Sequence, residues 1–237
     1  MFADSSVPRN PPVHLFAKVE NLCPRLSHLH LIQFDLQYVT IGDIPSSLES
    51  LAITASMMQF HWFQPLCMPR KAILPHMKEL DLNYSVLIFD DDLEHIARAW
   101  PGLRTLKLKG VRVSAECLQS IAKRLRQLEV LEIAFTRCND LVVDHICQNM
   151  AATLRRLNVA GCESVTDQCV CTVAMMLTNL QSLDVSKCHQ LSSDGFISLV
   201  RLNKTLRYLD VSKTAISGAT LTQLRSSLPA CNIVHED

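Results

Sequence analysis

Glycine is scarce in this chain, at six residues in 237. Loops that cradle phosphate need glycine at fixed spacing, and neither a G-x-G-x-x-G run nor a Walker-type loop is present. Excess charge is missing too, because 23 Lys and Arg balance 23 Asp and Glu. A neutral chain exerts no strong pull on nucleic acid or an anionic membrane, so neither is an expected partner. No stretch approaches the ~20 apolar residues of a membrane-spanning helix. Aromatic residues make up only 5%. No signal-peptide pattern opens the sequence, so a reducing compartment, cytoplasmic and/or nuclear, is the expectation. What the chain does have is 48% hydrophobic residues, enough for a folded domain with a sizeable core.

Those hydrophobic residues recur in eight segments of the form L-x-x-L-x-L or a close variant. They are Leu26-Leu29-Leu31, Leu48-Leu51-Ile53, Met77-Leu80-Leu82, Leu103-Leu106-Leu108, Leu128-Leu131-Ile133, Leu154-Leu157-Val159, Leu180-Leu183-Val185 and Leu206-Leu209-Val211. Their first positions are 22, 29, 26, 25, 26, 26 and 26 residues apart. Such a repeat fits a short strand that points alternate residues inward while a return helix packs behind it. One repeat cannot bury its own apolar face, so neighbours must stack. The predicted fold is therefore an α/β leucine-rich-repeat solenoid, a ribonuclease-inhibitor-like horseshoe with a parallel sheet on the concave face and helices on the convex face. Residues 1–13, with Pro8, Pro11 and Pro12, read as a flexible lead-in. Residues 14–237 read as one domain of about eight repeats, with an insertion near 55–75.

The segment from His14 to Leu26 resembles the back half of a repeat, a short helix followed by Cys23-Pro24 and the next strand. The insertion gathers Met57, Met58, Phe60, His61, Trp62, Phe63 and Pro65 before a turn at Pro69-Arg70-Lys71. Two readings stand for it: a packed ascending loop, or a binding anchor centred on an exposed Trp62. Further on, Asp90-Asp91-Asp92 opens a helix with Leu93, Ile96, Ala97 and Trp100 inward. Ser114 is the expected cap of the next helix, and Thr166-Asp167, Ser193-Asp194 and Ser217 hold corresponding places later. Cys231 to Val234 suit a short closing strand.

If the leucines point inward, the residues between them face the concave side. The middle column reads His30, Ala52, Asp81, Lys107, Glu132, Asn158, Asp184 and Asp210. The column before it reads His28, Ser50, Glu79, Thr105, Val130, Arg156, Ser182 and Tyr208, and the one after it Ile32, Thr54, Asn83, Lys109, Ala134, Ala160, Ser186 and Ser212. The expected protein-binding residues are His30, Glu79, Asp81, Lys107, Lys109, Glu132, Arg156, Asn158, Asp184, Tyr208 and Asp210, with Trp62 as a possible insertion anchor. Asp184, Asp210 and Tyr208 offer carboxylates beside an aromatic ring, an end suited to a basic or mixed-charge partner segment. Substituting the two aspartates by lysine is expected to leave stability almost unchanged.

Ten cysteines raise zinc, disulfide and thiol chemistry. Cys162 and Cys188 hold one repeat position, and Cys117, Cys147, Cys169 and Cys171 fall in predicted helices, where a small apolar side chain packs well. Cys23, His28 and His30 are ligand types, yet no second pair completes a tetrahedral set. Cys138 with His145 lacks a third group to orient the base, and Cys188, beside His189, holds a repeat position that is normally buried. No metal, cofactor or catalytic residue is expected, and the chain reads as a binding protein and not an enzyme.

Leu154-Arg-Arg-Leu-Asn-Val-Ala-Gly-Cys162 and Leu180-Gln-Ser-Leu-Asp-Val-Ser-Lys-Cys188 resemble the cysteine-containing subclass of leucine-rich repeats. Val165-Thr-Asp167 and Leu191-Ser-Ser-Asp194-Gly195 follow them and strengthen the likeness. That subclass is typical of F-box/leucine-rich-repeat proteins, the substrate receptors of SCF ubiquitin ligases. The resemblance covers about residues 14–234 and implies a protein partner or ubiquitination substrate on the concave face. Residues 1–25 have neither the length nor the helical pattern of an F-box, so the Skp adaptor and cullin are expected partners only if an F-box lies upstream. Ser85, Val111, Thr136 and Thr214 replace the cysteine in earlier and final repeats. The alternative is a free-standing scaffold or inhibitor unrelated to ubiquitination.

Overall fold

The structure, a computed structural model, describes residues 15–67, 72–202 and 205–236, with side chains from Val19 onward. The expected lead-in at 1–13 lies outside the described residues, as do His14 and the Pro69-Arg70-Lys71 turn. The chain begins with helix α1 (Leu15–Leu22), strand β1 (His28–Ile32) and the short strand β2 (Asp35–Leu36). Next come β3 (Ser50–Thr54), β4 (Met57–Met58) and β5 (Glu79–Asp81). Strand and helix then alternate: α2 (Asp90–Ala99), β6 (Thr105–Lys107), α3 (Ala115–Arg124), β7 (Val130–Glu132), α4 (Asp140–Met150) and β8 (Arg156–Asn158). The series closes with α5 (Asp167–Met176), β9 (Ser182–Asp184), α6 (Ser193–Ile197), β10 (Tyr208–Asp210), α7 (Gly218–Ser227) and β11 (Asn232–Val234).

Nine strands form one parallel sheet in the order β1-β3-β5-β6-β7-β8-β9-β10-β11, while β2 and β4 pair in a small second sheet. Equivalent repeat positions sit side by side, as in Leu106↔Leu131, Leu131↔Leu157 and Leu157↔Leu183. The inward side chains are almost all sealed: Leu51, Leu80, Leu106 and Leu183 are fully buried. Each such leucine contributes roughly 1.5–3 kcal/mol by leaving water. In β1, with one strand neighbour, Leu29 is only half-buried.

The cysteine position has a physical role. Cys162 and Cys188 lie in the core and direct their thiols at the carbonyls of Ile133 and Val159 in the preceding rung, with sulfur–oxygen distances of 3.4 and 3.2 Å. Ser85 does the same to the Ile53 carbonyl at 2.6 Å. Thr136 and Thr214 turn inside their own rungs instead, to Ile133 and Val211. Serine, threonine and cysteine are interchangeable there because each is a small donor; Val111 has none to give.

Behind the sheet, the helices are joined at their N-termini. The side chain of Asp90 accepts from the Ser114 backbone, Asp140 from Thr166, and Asp167 from Ser192. The hydroxyls of Thr166 and Ser192 each add a second bond, at 2.6 Å. Ser114 caps α3 through the Cys117 N–H, whereas the cap of α6 is Ser192, one residue before the expected Ser193. One link is missing. The first residue of α3 is Ala115, which offers no acceptor to Asn139, the cap of α4.

Candidate functional site

The middle and preceding columns are carried side by side by strand pairing, from His30↔Ala52 at one end to Asp184↔Asp210 at the other. Glu79, Lys107, Glu132 and Arg156 converge on one open groove of about 440 Å³, with Thr105, Glu129, Val130, Arg155 and Gln181 completing its lining. At its centre Lys107 Nζ lies 3.8 Å from Asp81 Oδ2 and 3.5 Å from Glu132 Oε1. All three side chains are about a quarter to a third exposed, so this network is a polar floor and adds little stability. Glu79 accepts from the Ser50 hydroxyl.

A second group lies toward the C-terminal end. Asn158 Nδ2 donates to Asp184 Oδ2 at 2.9 Å, and the Tyr208 hydroxyl donates to Asp210 Oδ2 at 3.3 Å. Partial burial, and then the neighbouring Asp210 and Asp184 carboxylates, push the Tyr208 phenol upward, so it stays a donor.

Asp and Asn in the middle column also serve the backbone. The side chains of Asp81, Asn158, Asp184 and Asp210 accept from the N–H groups of Asn83, Ala160, Ser186 and Ser212, two residues on. This closes a local turn at the end of each strand. The expectation that lysine at 184 and 210 leaves stability almost unchanged is revised: each substitution removes a turn acceptor, at roughly 0.5–1.5 kcal/mol apiece.

Three other expected residues stand apart. Trp62 is not an exposed anchor: it is 2% exposed and its indole N–H donates to the Val39 carbonyl at 2.6 Å. A large ring packed edge-on against Phe63 gains more within the core than by facing water. His30 is exposed at the N-terminal end, with Nε2 3.0 Å from the Thr54 hydroxyl. Lys109 leaves the polar column for the sheet's edge, where its ammonium lies over the rings of Tyr84 and Phe135. In the same column Ala134, Ala160, Ser186 and Ser212 are buried, contrary to the expected exposure.

That edge was missed by pattern reading. The position seven residues after each first leucine is left-handed throughout: Gln33, Ala55, Tyr84, Gly110, Phe135, Gly161, Lys187 and Lys213 have φ between 50° and 73°. Each N–H thereby reaches the next rung's chain, as Phe135 does to the Ala160 carbonyl and Lys187 to that of Ser212. The signal was present in the sequence as Gly110 and Gly161, two of only six glycines, at one repeat position. Among the described residues no group of three or more His, Cys, Asp and Glu is placed to hold a metal. No described helix is long and apolar enough to cross a membrane.

Against known proteins, a leucine-rich-repeat family model matches residues 177–200. Internalin C2 of Listeria monocytogenes superposes with a TM-score of 0.62 at 16% identity, covering 98% of this chain and all of that one. The fold is a leucine-rich-repeat solenoid. Mouse F-box/LRR-repeat protein 12 is 29% identical over 134 residues, 56% of this chain, and the chain spans 40% of that relative's length. A chain of the yeast Rad7 and Elc1 complex aligns over 94% of this chain and 83% of its own, at 14% identity. Its TM-score of 0.37 is too low to bear on either fold or function.

Proposed function

We propose that this solenoid is a protein-binding module that performs substrate recognition for an SCF-type ubiquitin ligase, receiving its partner on the concave face. The supporting observation is the continuous polar surface from Glu79 to Asp210, built on a rigid parallel sheet and containing an open groove. Solenoids of this kind present extended concave surfaces to partners. Likeness to mouse F-box/LRR-repeat protein 12 supports the ligase connection. Under this reading the chain is not an enzyme and takes no cofactor. It works in the cytoplasm and/or nucleus, and meets the Skp adaptor and cullin only through an F-box joined to it.

The test is affinity purification of the tagged chain and of its Asp184→Lys/Asp210→Lys variant, each also fused to an F-box. The expected result is a protein recovered with the parent chain and lost with the variant, whose ubiquitination rises only with the F-box fusion. The variant's melting profile, with a loss of about 1–3 kcal/mol for two turn acceptors, separates weakened binding from unfolding. A partner whose ubiquitination never responds would replace this reading with the free-standing scaffold or inhibitor. A partner retained by the folded variant would remove the acidic end from the interface.

A further inference from the structure

The middle column and the C-terminal ends of the strands differ in charge. The middle column carries Asp81, Glu132, Asp184 and Asp210 against Lys107 alone. The two columns at the C-terminal edge of the strands, from Ile32-Gln33 to Ser212-Lys213, carry Lys109, Lys187 and Lys213 and no carboxylate. Lys107 is neutralised by its two acidic neighbours, whereas Lys109 and Lys187 form no ion pair among the described residues.

Aromatic rings hold those lysines. Lys109 Nζ lies 5.5 Å from the centre of the Tyr84 ring and 5.7 Å from that of Phe135, and Lys187 Nζ lies 5.4 Å from Phe135. Both rings are exposed, at 53% and 43%. Each ring leans over the glycine of the next rung. A Cβ on Gly110 would meet Tyr84 at 2.9 Å, and one on Gly161 would meet Phe135 at 2.3 Å. The alternation of ring and glycine thus lays the aromatics flat along the edge and carries two ammonium groups at their faces. Beside Phe135 opens a cleft of about 550 Å³ where the helix N-terminal link fails at Ala115; Arg137 lines it together with the carboxylates of Glu116 and Glu163, so the cationic strip ends at the cleft's mouth.

We propose that this edge is a docking strip for an extended acidic segment of the partner protein, whose Asp or Glu carboxylates pair with Lys109 and Lys187 while its apolar atoms cover Phe135. The inference rests on the reading that this face receives a protein, and names the chemistry of one part of it. Cations distributed over several rungs suit carboxylates spaced along an extended chain. A single phosphate on a partner would reach fewer of them. Lysine also makes point-charge contacts and not the forked pairs by which arginine grips phosphate.

The experiment is a ¹⁵N NMR titration of the whole chain with hexaglutamate at low ionic strength, with hexalysine and a singly phosphorylated serine hexapeptide as the other probes. The expected result is saturable shifts at Lys109, Gly110, Phe135, Gly161 and Lys187 with hexaglutamate, weaker ones with the phosphopeptide and none there with hexalysine. Adding salt should reduce the affinity. Lys109→Gln/Lys187→Gln should weaken hexaglutamate binding at least tenfold, and Lys109→Arg/Lys187→Arg should restore most of it. Shifts scattered over other lysines, unchanged affinity in the glutamine variant, or stronger binding of the phosphopeptide would overturn the proposal. Loss of a captured partner in Asp184→Lys/Asp210→Lys with full retention in Lys109→Gln/Lys187→Gln would also overturn it, leaving the broader reading in place.

Discussion

The rungs before Asp90 and the rungs after it share one sheet but are backed differently. Behind β6 to β10 stand α-helices tied at their N-termini through carboxylates and hydroxyls, except between α3 and α4. Among the described residues, β1 and β3 are followed by short 3₁₀ turns at Ile41–Asp43 and Gln64–Cys67, with the β2–β4 pair alongside. There an indole replaces the helix links: Trp62 reaches back to the Val39 carbonyl, and from the end of α2 Trp100 likewise reaches back to Ile73. The inward leucines therefore set the rung, while the backing element is free to vary provided that it fills the volume and satisfies the buried carbonyls.

The contrast is broken most severely by deleting its large side chains. Trp62→Ala should cost about 3–5 kcal/mol, because it opens a cavity and strands the Val39 carbonyl. Leu157→Ala in a regular rung should cost about 2–5 kcal/mol from a cavity alone. Chemical denaturation of both measures whether the irregular end depends on its one tryptophan more than a regular rung depends on one leucine. A smaller loss is expected from Asp167→Ala, about 1.5–3 kcal/mol for the charged bonds to Ser192, with faster amide exchange at the start of α6. Asp140→Ala should behave alike through Thr166. Glu116→Ala, beside the missing link at Ala115, should change stability by less than about 0.5 kcal/mol.

The smallest effect concerns pH. Asp92 is buried; one carboxyl oxygen accepts from the Phe89 N–H, and the other makes no hydrogen bond of ordinary geometry among the described residues. Burial raises its pKa above the ordinary 3.8, an effect only partly offset by backbone N–H groups of Phe89 and Phe63. The folded protein therefore holds this proton more tightly than the unfolded chain. The resulting stability is complete below the ordinary aspartate range and is lost as pH rises through the raised value. Asp92→Asn should flatten that part of the stability profile, measured as denaturation midpoint against pH.

How legible these regions were follows the same division. The regular rungs could be read because leucine spacing and capping residues are local, and Ser114, Leu93 and Ile96 stand where periodicity puts them. The irregular end could not, since Trp62 reads equally as anchor or core until the Val39 carbonyl 23 residues away is placed beside it. Charge columns were legible from strand alternation, but their division was not. Lys107 and Lys109 look alike in sequence, and a left-handed residue at the end of each strand turns the second toward the rings of the neighbouring rungs. The double use of Asp184 and Asp210, as surface charge and turn acceptor, was likewise invisible to a count of exposed charges.

The central claim is that a protein partner covers the concave face. Carboxyl footprinting by mass spectrometry, on the chain alone and with a recovered partner, tests it most directly. The account predicts that labelling of Glu79, Glu132, Asp184 and Asp210 falls on binding while Asp144 and Asp194, on the helices, label as before. Protection of the helical carboxylates with an unchanged concave face would contradict it.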